Sequence, residues 1–182
     1  LDKKGNVRDS VNIKEDLEFA NYLHELLLDK AQSVEVEKYF EEEKSGNQTN
    51  MAEVDIHSGF DLVSWGGLEP RVVTTIVPTV KEYANQESLI EMKYFVSADV
   101  GEITRYYSVT ECFTVNTQEE RNYLNGYSRT MEEIFQVSLV DTKNNRFRFG
   151  ISNVEESDWM VRKKKKKAVF VKAGELWYYD YQ

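Results

Sequence analysis

The sequence predicts an α+β fold: an N-terminal helix pair packed on a curved, mainly antiparallel β-sheet, a cone-like roll. Three observations predict it. Residues 13–44 are acidic and patterned with helical spacing, and a long run of strand-and-turn sequence follows. The chain then closes on the aromatic segment Lys167-Ala-Val-Phe-Val-Lys-Ala-Gly-Glu-Leu-Trp-Tyr-Tyr-Asp-Tyr181. Helices first and a meander afterwards bury one stripe against one sheet face.

Residues 1–12 are polar, carry Gly5 and read as a flexible lead-in, with residues 13–182 as a single domain. Asn12 and Glu15 stand at capping-box spacing. From there Glu18, Asn21, Glu25, Asp29 and Gln32 form a polar stripe, with Leu17, Phe19, Ala20, Leu23, Leu26, Leu27 and Ala31 opposite, an amphipathic helix. A second, shorter helix over Ser33–Glu43 turns Val34, Val36, Tyr39 and Phe40 inward. Met51–His57 reads as a strand, and Gly59–Gly67 as an aromatic-glycine turn region without a class. Val72–Tyr83 is β-branched, and Pro78 confines it to a sheet edge or a bulge.

Alternation is clearest next. Ile90, Met92, Tyr94, Val96 and Ala98 share one face, Asp99–Glu102 turns the chain, and Ile103–Val115 alternates again. Gln118–Phe135 places Leu124, Tyr127, Met131, Ile134 and Phe135 at helical spacing, so a helix is expected there, weakened by Gly126. Val137–Val140, the turn Asp141–Asn145 and Arg146–Ile151 read as a hairpin in which Phe147, Phe149 and Ile151 alternate with arginines.

A net charge of −9 works against nucleic-acid binding, which rests on neutralising phosphates. One cysteine, Cys112, permits no internal disulfide and no thiolate metal site of its own. With two histidines and no glycine-rich phosphate loop, no cofactor and no metal is expected. No apolar run is long enough to span a bilayer, so a membrane is expected only through a segment outside this chain.

Candidate chemistry is thin. His24 lies at the border of the first helix's apolar face, where a packed imidazole is the ordinary reading. His57, near Asp55, and Glu111 are candidate bases, with Tyr107 as a candidate donor. Glu111 shares its strand face with Tyr107, Val109, Phe113 and Val115: it lines a cavity, its pKa raised by desolvation, or a bulge turns it outward, or both strand faces are half-exposed. Arg162, Lys163, Lys164, Lys165, Lys166 and Lys167 form a basic run, either a solvated strand edge or a patch for an anionic partner. Asn47-Gln48-Thr49 satisfies the glycosylation sequon.

The closing segment, with its Gly-containing turn and its Trp-Tyr-rich last strand, resembles the final hairpin of the nuclear transport factor 2-like superfamily. Phe19–Lys30 followed by Val36-Glu-Lys-Tyr-Phe40 resembles its opening helix pair. The resemblance implies either a cavity enzyme or small-molecule binder, or a noncatalytic assembly domain. The latter includes extracytoplasmic components of bacterial secretion and conjugation machinery. The expected function is therefore noncatalytic protein interaction with other proteins or further copies of the chain, in the cell envelope rather than the cytoplasm. The alternatives are the cavity enzyme and a viral or plasmid accessory protein that binds a host protein.

Overall fold

A computed structural model describes residues 3–40, 45–118, 121–136, 140–141, 144, 146–147, 159–162, 167–172 and 175–180. Helix α1 (Lys3–Leu28) opens the chain. It starts ten residues before the boundary expected for the helix, so residues 3–12 take helical backbone. No proline precedes Pro70, and a helix already nucleated propagates backward at little cost.

Beyond α1 the expected second helix is reduced to two 3₁₀ turns, Ser33–Glu35 and Glu37–Tyr39. Val36 and Phe40 are buried and Tyr39 is half-buried, but Val34 is 67% exposed, against the inward placement expected for it. Three residues per turn put Val36 and Tyr39 on one side and leave Val34 off it.

The strands follow as β1 (Glu53–Asp55), β2 (Arg71–Val72), β3 (Thr79–Ala84), β4 (Glu87–Val100), β5 (Ile103–Gln118) and β6 (Arg121–Glu133). A four-residue helix, α2 (Phe60–Val63), lies between β1 and β2. These six strands form one antiparallel sheet in the order β1-β6-β5-β4-β2, with β3 also on β4. The segment containing Pro78 thus runs along the sheet edge, and β3 carries a register shift between Val80 and Glu82. Gly101, at φ +66°, makes the turn between β4 and β5 that the sequence calls for.

Helix α1 lies on one face of this curved sheet. Phe19, Ala20, Leu23, Leu26 and Leu27 pack on Ile90, Met92, Tyr94 and Val96 of β4 and on Val109, Phe113 and Val115 of β5. The opposite face carries Lys93, Ser108, Thr110, Cys112 and Thr114, which are exposed or half-buried, as in an antiparallel sheet wetted on one side.

The helix expected over Gln118–Phe135 is strand β6 instead, and the reason is physical. Phe113 pairs with Tyr127 and Thr114 with Gly126, but Val115 pairs with Leu124, so the extra residue Asn125 makes a bulge. Two inward residues, Leu124 and Tyr127, are thereby three apart. From Tyr127 onward the inward positions are Tyr127, Arg129, Met131 and Glu133, all buried. Read as polar, Arg129 and Glu133 hide the alternation and leave Tyr127 and Met131 four apart, a false helical pattern.

Past β6 come β7 (Val140–Asp141), β8 (Arg146–Phe147), β9 (Trp159–Arg162), β10 (Lys167–Lys172) and β11 (Glu175–Asp180). β7 and β8 pair antiparallel, as the expected hairpin requires; Phe149 and Ile151 lie outside the described residues. The closing hairpin does not extend the main sheet: β10 and β11 join β9 in a separate three-stranded sheet, order β11-β10-β9. Its inner face meets the end of β6 through Phe135, whose ring lies 4.8 Å from Phe170 and 5.4 Å from Trp177, centroid to centroid. Both contacts are edge-to-face, the favoured aromatic geometry.

Candidate functional site

The polar groups that the fold collects most deeply lie under α1, around Glu111. Strand alternation points Glu111 inward from β5, where it is 1% exposed, so the bulge that would have turned it to solvent is not there. Burial is made tolerable by three partners from three other elements. His24 on α1 places Nδ1 2.6 Å from Oε2, where against a carboxylate that nitrogen is the donor. Tyr94 on β4 donates its hydroxyl to the same oxygen at 3.1 Å, and Tyr127 on β6 donates to Oε1 at 2.8 Å. The His24 ring also meets the Tyr94 ring edge-on at 5.0 Å.

Burial raises the Glu111 pKa, but the hydrogen bond and charge of His24, the charge of Arg129 and the Tyr127 hydroxyl outweigh it, holding the carboxyl below its usual range. This reverses the direction expected from desolvation alone. The two phenols shift the other way: burial and the Glu111 charge push Tyr94 and Tyr127 well above 10.0.

Arg129 is the register partner of Glu111 on β6 and is fully buried. Its Nη1 donates to the Val63 carbonyl at 2.6 Å and its Nη2 to the Leu62 carbonyl at 2.8 Å. The Val63 carbonyl lies at the C-terminal end of α2, where the helix itself supplies no donor, while the Leu62 carbonyl also accepts the Trp65 amide at 3.2 Å. The guanidinium lies 3.8 Å from the centroid of the buried Trp65 ring, a cation–π contact in a desolvated setting. Trp65 itself sits at φ +69°, beside Gly66 at +54°, a left-handed conformation uncommon for a bulky residue. Arg129 thus ties the sheet to the turn that the sequence left without a class.

The other residues singled out from the sequence lie elsewhere. Tyr107 lies four residues away along β5, pairs with Glu133 and has its phenol pushed up by burial and the Glu133 charge. Glu133 itself is held by Arg105 Nη1 at 2.8 Å. His57 sits in the turn after β1, where Asp55 Oδ1 accepts its backbone amide at 3.0 Å and the Ser58 hydroxyl at 2.9 Å. The His57–Asp55 proximity therefore builds a turn. Glu111, His57 and Tyr107 are not brought together. Cys112 points to the outer sheet face, half-buried, with its thiol pKa raised chiefly by burial. Among the described residues no cluster of three or more His, Cys, Asp or Glu can hold a metal ion, and no helix is long and apolar enough to cross a membrane.

In the basic run, Arg162 and Lys167 are strand partners across β9 and β10, while Lys163–Lys166 lie outside the described residues. Lys167 Nζ is 3.5 Å from the Asp180 carboxylate and 5.2 Å from the Tyr178 ring centroid. The sequon asparagine, Asn47, caps its own loop: its Nδ2 donates to the carbonyls of Asn50 at 2.9 Å and Glu53 at 2.6 Å.

Sequence reasoning missed Tyr94, Tyr127 and Arg129 as members of the Glu111 cluster. Tyr94 was visible as one of a row of apolar positions, and Arg129 was hidden by its charge. The chain has no match among family models, curated proteins or solved structures.

One consequence of the phenol shifts can be measured. A phenol whose folded pKa is raised stabilises the fold below its ordinary pKa, and that contribution is lost as pH rises through the folded value. Of the eleven tyrosines, Tyr94 and Tyr127 should stay protonated in an absorbance titration above pH 10 until the fold collapses, then ionise with the loss of circular dichroism. Tyr94→Phe should reduce the late step by one phenol. Smooth ionisation of all eleven in folded protein would overturn the cluster's geometry.

Proposed function

We propose that this chain is a noncatalytic protein-interaction domain, of the assembly type that the superfamily resemblance implies. The observation that carries the reading is the outer face of the three-stranded sheet. Lys167, Val169 and Val171 of β10 face away from the buried Ala168 and Phe170, and Val169 is directly paired with Met160 on one side and Tyr178 on the other. Val171 pairs with Leu176. Met160 is 75% exposed, Leu176 74% and Tyr178 58%. Five apolar side chains on one solvent-facing sheet surface, bordered by the Lys167–Asp180 ion pair, match the apolar centre and polar rim of a protein interface.

The Glu111 cluster supports the same reading. Both carboxylate oxygens are engaged, by two tyrosines and a histidine, and the group is buried against α1. A general base must reach its substrate's proton, and this carboxylate is committed to holding the helix on the sheet. The partner is another protein that presents an apolar patch to the tail sheet. A photocrosslinking amino acid at Leu176 should give a discrete protein adduct in cells that produce the chain, and one at Thr110 on the polar sheet face should not. Tyr178→Asp should abolish the adduct without unfolding the domain. Equal crosslinking from both positions, or none from Leu176, would overturn the reading.

A further inference from the structure

An open groove of about 620 Å³ runs between α1, the second 3₁₀ turn and the adjoining ends of β5 and β6. Its aromatic wall is built by Phe19, Tyr22 and Tyr39. Phe19 stacks with Tyr22 at 6.5 Å and meets Tyr39 edge-on at 5.2 Å. Glu15 and Glu18, one helical turn apart and both exposed, stand over it. The opposite wall is Thr117 and Asn122, joined by a hydrogen bond of 3.0 Å from the threonine hydroxyl to the amide oxygen. Among the described residues no basic side chain lines the groove.

We propose that this groove binds a lysine or arginine side chain presented by an extended segment of a partner protein. The inference goes beyond the tail-sheet interface and uses none of its residues. Aromatic faces attract cations through their quadrupoles, and carboxylates at the mouth add charge complementarity. The protein already uses this chemistry beside the groove, where Lys38 Nζ lies 5.1 Å from the Tyr39 ring centroid. Glu18 is paired with Lys14 at 3.3 Å, but both side chains are largely exposed, and such a pair is exchanged for a better one at little cost. Glu15 has no ion-pair partner among the described residues. An anionic ligand would meet the unpaired Glu15 carboxylate and the Glu18 carboxylate beside it, and a purely apolar one would desolvate them without return. The alkyl stem and charged head of lysine or arginine fit both halves of the groove.

The test is calorimetric titration of the full chain with an unstructured decapeptide of alternating lysine, arginine and serine, with spermidine as a small cation control. The peptide should bind, weaken as salt is raised, and lose at least tenfold in affinity in Glu15→Gln/Glu18→Gln and in Tyr22→Ala. These side chains are exposed, so the variants keep the fold, which circular dichroism verifies. Three results would overturn the proposal: no binding to millimolar peptide, equal binding by the variants, or spermidine binding as tightly as the peptide. Loss of the Leu176 crosslink leaves this titration unchanged, so the two readings fail separately.

Discussion

Replacing Glu111 by alanine should lower the unfolding free energy by about 3 to 5 kcal/mol, the cost of removing one member of a buried charged pair. His24, Tyr94 and Tyr127 would each lose their acceptor inside the core, and Arg129 would lose a buried counter-charge. Against a typical domain stability of about 5 to 15 kcal/mol, that loss approaches global unfolding. Urea titration should show a lower midpoint at unchanged slope. Glu111→Gln keeps the shape and one acceptor, so it should cost roughly 1 to 3 kcal/mol. A loss below that range for the alanine variant would mean that the cluster does not hold α1 to the sheet.

The same residue sets a pH dependence. A carboxyl held below its ordinary pKa stabilises the fold above pH 4.5, and the stabilisation disappears as pH falls through the folded value. Asp16 acts in the opposite sense. It is a buried residue of α1 itself, accepts the Ser88 hydroxyl from β4 at 2.6 Å, and has its pKa raised by burial. Its ionised form is the disfavoured one, so protonation relieves a cost as the solution is acidified. Glu111→Gln should therefore flatten the acid limb of the stability curve, and Asp16→Asn should steepen it.

Arg129→Leu is expected to cost about 3 to 5 kcal/mol as well, because it leaves the Val63 carbonyl without its donor, removes one of two donors to the Leu62 carbonyl and leaves Glu111 short of a positive neighbour. The variant should also shift the fluorescence of Trp65, whose ring face would lose the guanidinium. Combined with Glu111→Gln, the two losses should add to less than their sum, since each single change already unbalances the same buried charges. Strict additivity, or an unchanged Trp65 signal, would show that the arginine serves α2 alone and is not coupled to Glu111.

Much of the scaffold was legible in the sequence because polarity and burial agree there. Leu23, Leu26 and Leu27 had to face the sheet, and the rows Ile90–Ala98 and Tyr107–Val115 had to line it, since no other arrangement buries them with period 3.6 or 2. The inward position of Glu111 was legible too, as an oddity of alternation. Its meaning was not. The groups that make its burial tolerable come from far along the chain, His24 at a separation of 87 residues and Tyr94 at 17.

Strand β6 marks the boundary between the two kinds of information. The sequence by itself determined that Tyr127 and Met131 are core residues, and they are buried. It could not determine that Arg129 and Glu133 are buried beside them, or that Asn125 is an extra residue in the ladder. A charged side chain enters a core only where partners wait for it, and those partners, the carbonyls of α2 for Arg129 and Arg105 for Glu133, are assembled by tertiary contacts alone.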